Sequence, residues 1–495
     1  MNKYKTIRIQ NAEKEEIMAQ KKDSLLYIDE NQKQVGMPEF IWYLVAVFFY
    51  TNMTGMVGAF RNAYLVNVLR VTSDQASFYN AFLTIVPVFF NLAITMFIDG
   101  RRVGKGGKFI PLVALSAVPI AVILPLNFWT PSGLSGTLMM IYILTMGLSW
   151  SIANCFGGTI NSLAVALSTN LRERDKVMSF RGFVSAVGNS APQVIMLVIG
   201  LLIAGEGRQY LASAVLCSVV GVITMLFGMR IVKERVVYSP SRTNPAVGFR
   251  DVIANKYAWV IIASEFLKSF RAIANYMGVF LAAALLGATN KFLLFGLPTG
   301  IGTAVGMLII NFLLKKFNSK VLYIASGIYS VIANTIAFSV GYLYFTRGDS
   351  ILQILFIVCL FLIGLQFGAS NLLPSMFQAD VLEDIELKTG KRLDATLPFV
   401  VGIGTMISGA IANSLAPKIL YGDGSIIQYI QPTDLVPEPV QTTRTKILML
   451  FFYTVFHGLM MFLAGVPYFF YKLTGKTKED IHNAVLEKRK AFEEE

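Results

Sequence analysis

The chain has 495 residues, 55% of them hydrophobic and only 15% charged, with a formal net charge of +13. A water-soluble domain needs roughly 25% charged residues to coat its surface, which excludes a soluble multidomain enzyme. The excess of positive charge is therefore read by position along the chain rather than as a nucleic-acid footprint.

Residues 1–39 form a polar tail of mixed charge, with Lys14, Glu15, Glu16, Lys21, Lys22 and Asp23. It has no apolar core followed by a small-residue cleavage site, so no cleaved signal peptide is expected. Twelve apolar segments follow, each near or above the roughly 20 residues that a membrane-crossing helix needs. They are 40–68, 77–98, 108–129, 136–166, 180–204, 209–232, 257–286, 291–314, 320–345, 350–375, 396–420 and 446–472. The first, fourth and seventh are long enough to tilt or break. The 37 Phe and 40 Gly suit helices that meet lipid outside and pack closely inside.

Alternate loops are basic. Arg101, Arg102, Lys105 and Lys108 follow the second span; Arg172, Arg174, Lys176 and Arg181 follow the fourth; Lys233, Arg235, Arg242, Arg250 and Lys256 follow the sixth. Lys315, Lys316 and Lys320 follow the eighth, and Lys388, Lys391 and Arg392 the tenth. Positive charge is retained on the cytoplasmic side, so a multi-pass cell-membrane protein with both termini inside is expected. The segment 233–256, with Pro240, Ser241, Arg242, Asn244 and Pro245, reads as a cytoplasmic linker between two six-helix bundles, 40–232 and 257–472. Residues 473–495 read as a cytoplasmic helix, with Thr477 a possible cap.

Cys155, Cys217 and Cys359 all lie in apolar runs and offer neither a disulfide framework nor a metal site. No phosphate-cradling Walker sequence is present, which argues against an ATP-driven pump, and no cofactor is expected. After the tenth span, Gln378-Ala-Asp-Val-Leu-Glu-Asp-Ile-Glu-Leu-Lys-Thr-Gly-Lys-Arg392 places acids before bases at a membrane exit. Such a segment can pair with basic loops of the other bundle in one conformation and release them in another. It can equally be a solvated, charge-balanced loop.

This segment resembles the A-D-V-x-D-Y-D-E-L-K-T-G-K-R signature of the glycoside–pentoside–hexuronide cation symporters, the major facilitator family that includes the melibiose carrier. Asp380, Glu386, Lys388, Thr389, Gly390, Lys391 and Arg392 match it, while Glu383 and Asp384 replace its usual Asp-Tyr. The run Ile98-Asp99-Gly100-Arg101-Arg102 to Ile110 is similar to the family's loop after the second span. Glu173-Arg174 with Phe180-Arg181 is similar to its entry into the fifth. The resemblance implies a twelve-helix all-α major facilitator fold, a sugar, glycoside or sugar-acid substrate and a coupling cation. It implies gating roles for Asp99, Arg101, Arg174, Asp380, Glu386, Lys391 and Arg392, and a sugar-binding position at Arg181.

The departures change the expected ion. Where sodium-dependent members carry two acids in the second span, this chain has Pro87 and Asn91, and Met406 stands at the family's usual lysine of the eleventh. The sugar-binding acid of the fourth span has no clear counterpart in 154–161. A sodium site without its carboxylates is severely weakened, which favours a proton.

Ionisable residues inside spans are costly and normally face a cavity or pair. In the seventh span Glu265, Lys268, Arg271 and Asn275 fall on one arc of a helix. Glu265 is the candidate proton site, with Lys268 or Arg271 binding an anionic group; the alternative is an internal salt bridge. Arg61 in the first span could bind a carboxylate or snorkel. Asn52, Asn161, Gln366 and Asn371 could bond substrate hydroxyls or glue helices, and Trp150 could stack on a sugar ring or simply pack. His457 is expected to be a satisfied packing residue. Two rival functions stay open: transport of a lysolipid or other amphiphile, and a membrane receptor or scaffold without transport.

Overall fold

The computed structural model describes residues 34–100, 107–131, 133–168, 171–235, 245–389, 396–433, 435–436, 439–481 and 483–485, and among these there is no β-strand. In chain order the helices of the first half are α1 (Met37–Ala63), α2 (Ser73–Gly100), α3 (Ile110–Leu126), α4 (Gly136–Gly157), α5 (Ile160–Ala166), α6 (Leu171–Leu202) and α7 (Glu206–Ile231). A short linker helix α8 (Pro245–Ala254) leads to α9 (Lys256–Ser269), α10 (Ala272–Leu286), α11 (Leu293–Leu313), α12 (Ser319–Arg347), α13 (Ser350–Thr389), α14 (Thr396–Leu420), α15 (Thr443–Phe451) and α16 (His457–Gly465).

Helices occupy all twelve expected positions. Among the described residues ten are long and apolar enough to cross a membrane; α2, of 28 residues, and α3, of 17, stand at the second and third positions. The three long spans each carry an irregularity. The first ends in a π-turn, Tyr64–Val68. The fourth breaks at Gly158 and Thr159 between α4 and α5. The seventh breaks at Phe270 and Arg271, where Arg271 N–H bonds the carbonyl three residues back and the Ser269 hydroxyl donates to the Glu265 carbonyl at 2.8 Å. A serine that bonds back in this way competes with the helix ladder and bends it.

Two expectations are corrected. The acidic part of the segment after the tenth span is not a loop: α13 runs on for 40 residues to Thr389, because no Gly or Pro follows Pro374 before Gly390 and the residues between are good helix formers. The final helix begins at residue 476, one position before Thr477, after Gly475 in a left-handed conformation at φ +55°.

Within the first half α1 packs on α6 and α7; within the second α11 packs on α13, and α12 on α13 and α16. Among the described residues the halves meet where α2 packs on α14, α6 on α11 and the turn Thr289–Phe292 before it, and α1 on α10. Glycines allow the closest approaches. A Cβ on Gly302 or Gly306 of α11 would meet carbonyl oxygens of α13 at 2.2 and 2.1 Å, and one on Gly364 would meet Thr299 O at 2.3 Å. Two small-xxx-small pairs, 302/306 and 364/368, thus face each other.

Candidate functional site

A cavity of about 340 Å³ lies between the two halves. Gly55, Gly58, Asn189 and Gln193 line it from α1 and α6, while Asn275, Thr299, Thr303 and Phe367 line it from α10, α11 and α13. Tyr453 and His457, from the last span, complete its polar wall. Thr299 and Thr303 donate their hydroxyl protons to carbonyls one turn back, each at 2.8 Å, which leaves their oxygens as acceptors.

The seventh span borders this cavity. Asn255 caps α9 by accepting from the N–H groups of Tyr257 and Ala258, which fixes the register that follows. Lys268 Nζ donates to Glu265 Oε1 in an ion pair, so the internal salt bridge weighed above is present. Arg271, at the break, lays its guanidinium over the Phe367 ring at 5.0 Å. The same ring meets His457 edge to face at 5.1 Å. One turn beyond Arg271, Asn275 reaches the cavity.

The other expected binding residues are placed elsewhere. Arg61 is buried, donates through Nε to Tyr79 Oη at 3.0 Å and sits over Tyr64, away from the cavity lining. Arg181 donates to the carbonyl of Asn161 at 3.0 Å. Trp150 is buried in the apolar core that runs through both halves. Asn52 and Gln366 are buried with neither side-chain polar atom partnered among the described residues, and Asn371 is exposed. Of these residues Asn275 alone is among those lining the cavity.

Sequence reasoning passed over Gln193, Asn189 and Tyr453. The expectation that His457 is a satisfied packing residue is corrected: His457 is 3% exposed, lines the cavity and has Nε2 without a partner among the described residues. A lone histidine in an apolar run gives no periodic signal that would separate the two cases.

The ends of the molecule differ. Hydrogen bonds between the halves gather at the end opposite the basic loops, with Asn413 Nδ2 donating to Thr84 Oγ1 at 3.3 Å further along α14 and α2. At that end Glu206 Oε1 accepts from Asn67 at 3.3 Å, Tyr210 at 2.7 Å and Thr289 at 2.7 Å. Gln431 Nε2 donates to the carbonyls of Val66 and Val71. Tyr429 donates to Asn67 Oδ1 at 3.3 Å, and burial pushes its phenol above the usual tyrosine range, so it remains a neutral donor.

At the basic end three described acids have partners in, or next to, their own half. Glu39 binds Arg235 at 2.7 Å, Asp384 binds Lys388 at 2.6 Å and Asn255 at 2.7 Å, and Asp380 binds Lys478 at 2.7 Å. Glu386 is half-buried on the same helix. Arg101, Lys391 and Arg392 lie outside the described residues, as do the side chains of Asp99 and Arg174.

Residues 39–475 match the model of a family described as MFS/sugar transport protein. The chain is 24% identical over 441 residues, 86% of its length and 89% of the relative's, to the "Putative sulfoquinovose importer" of Salmonella typhimurium. It is 23% identical over 481 residues, 91% and 93% of the two lengths, to the "Putative glycoside/cation symporter YagG" of Escherichia coli. The inward open structure of the Escherichia coli xylose transporter XylE superimposes with a TM-score of 0.58 at 13% identity, covering 90% of this chain and 98% of the other.

Proposed function

The chain belongs to the MFS/sugar transport protein family, and from that premise we propose that it carries a sugar, glycoside or sugar acid by alternating access, coupled to protons rather than sodium. The observation that carries this reading is the cavity between the halves, lined by amides from both sides and by hydroxyls from the second half. Its size is near the lower bound of small-molecule sites, roughly 300–1,000 Å³, and suits a compact polyol better than an acyl chain. The names of the relatives, a sulfoquinovose importer and a glycoside/cation symporter, support the same substrate class.

For the ion, α2 holds Pro87 and Asn91 where the carboxylates of a sodium site would stand. Glu265 is the acid of the span that borders the cavity. A proton taken up there cancels its charge and frees Lys268, so the two protonation states differ in what the span can hold. With the basic loops cytoplasmic, the described state is sealed on the outside. Asp380 and Asp384 of α13, now paired with Lys478 and Lys388, are groups available to close the inner end in the opposite state.

Counterflow into proteoliposomes preloaded with unlabelled sugars, glycosides or lysolipid tests this reading. Exchange of at least one labelled sugar or glycoside is expected. Exchange of lysolipid alone, or of nothing, refutes it.

A further inference from the structure

We propose that the transported sugar carries an acidic group, a carboxylate or sulfonate, and that the Arg271 guanidinium receives it at the rim of the cavity; this rests on the sugar-transporter reading above. Arg271 is the midpoint of the seventh span, fifteen residues from either end of Lys256–Leu286. An arginine at that depth is costly unless it pairs or faces a water-filled path.

Beyond its first residue, Lys256, the span offers one carboxylate to two cations, and Lys268 holds that carboxylate. Among the described residues Arg271 has no carboxylate at ion-pair distance; its close partner is the face of Phe367. A ring face attracts a cation but takes none of the five N–H donors in their fork geometry. Glu265, Lys268 and Arg271 together leave a local charge of +1 beside a cavity within the membrane. A planar fork of donors in such a place matches a carboxylate or sulfonate edge.

A second set of observations points the same way. His457 Nε2 is buried and unpartnered, and its ring abuts the Phe367 ring on which Arg271 rests. From the other half Gln193 presents a buried Oε1, also unpartnered. Both residues line the cavity. Buried polar atoms are nearly always bonded, so unpartnered ones converging on one space from both halves mark a place built for a polar guest. An acid group on Arg271 puts the hydroxylated body of a sugar between Asn275, His457 and Gln193.

The test compares probes that differ only in the acid: D-glucuronate and sulfoquinovose against D-glucose, and methyl β-D-glucuronide against methyl β-D-glucoside. Counterflow and ligand-dependent thermal shift are measured on the full-length protein. Wild type is expected to prefer the acidic member of each pair. Arg271→Gln should weaken the acid by about tenfold or more, the scale of a lost charged hydrogen-bond pair, and leave the neutral member within about threefold. Arg271→Lys should keep part of the preference. The wild-type comparison needs no variant and stands even if the Gln variant misfolds. Equal handling of both members by wild type and by Arg271→Gln overturns the acid site while leaving sugar transport intact. Failure of every sugar in counterflow overturns both.

Discussion

Glu265 and Lys268 sit one turn apart and share a hydrogen bond, so neither can change charge without altering the other. Breaking one partner of a partly buried pair costs more than the pair itself contributes, which makes the pair a usable switch. Glu265→Gln removes the charge without changing the shape. It is expected to abolish gradient-driven accumulation but to keep exchange of substrate at equilibrium, because exchange requires no proton release. Proteoliposomes assayed in both modes check this, and undiminished accumulation by the variant would assign the coupling to another residue. At this scale the sequence was legible where neighbours lie on one helix, as the Glu265–Lys268 pair does. Glu265, Lys268, Arg271 and Asn275 share an arc, and the spacing alone reveals it. Gln193 and His457 were not legible, because they meet the arc from α6 and α16, and no single-helix periodicity encodes a neighbour from a distant span.

The helix pair α11 and α13 shows how an element depends on what its side chains lack. Gly306 and Leu365 approach so closely that a Cβ on Gly306 would meet a backbone oxygen at 2.1 Å. Gly306→Ala should therefore lower the melting temperature in detergent by several degrees, in line with an overpacking cost of about 1–3 kcal/mol, and Gly306→Leu should prevent stable assembly. Gly300→Ala is the control, since its Cβ would only touch Ser190 Oγ at 3.6 Å; equal destabilisation by both would show that the seam is looser than described. On α13 itself Asp380 accepts from Lys478 at 2.7 Å and from Tyr471 at 3.4 Å. Asp380→Asn is expected to slow transport while leaving substrate affinity within a few-fold, because a network at a gate biases a small conformational gap without touching the site. Lost affinity with normal cycling would place Asp380 in the binding site instead. Hydropathy located these elements but not their ends: α13 outruns its apolar stretch because helix propensity continues where hydrophobicity stops.

For the molecule as a whole, alternating access requires the seal around Glu206, Thr289, Tyr429 and Gln431 to open as the basic end closes. A neutral hydrogen bond contributes only about 0.5–1.5 kcal/mol net, and one to a carboxylate such as Glu206 about 1.5–3 kcal/mol, so a seal of this kind lies within reach of the differential binding of substrate and ion. The twelve-helix plan was readable from segment length and loop charge, since lipid forces every span to satisfy its backbone internally. The seams were not, because small residues that let helices touch carry no hydropathic signal. The central claim is that this fold couples a polyol to protons through the seventh span. Uptake into proteoliposomes under separately imposed proton and sodium gradients tests it most directly. An inward proton gradient should drive accumulation of the labelled substrate, with a sodium gradient of equal size adding nothing; accumulation driven by sodium, and indifferent to protons, would contradict it.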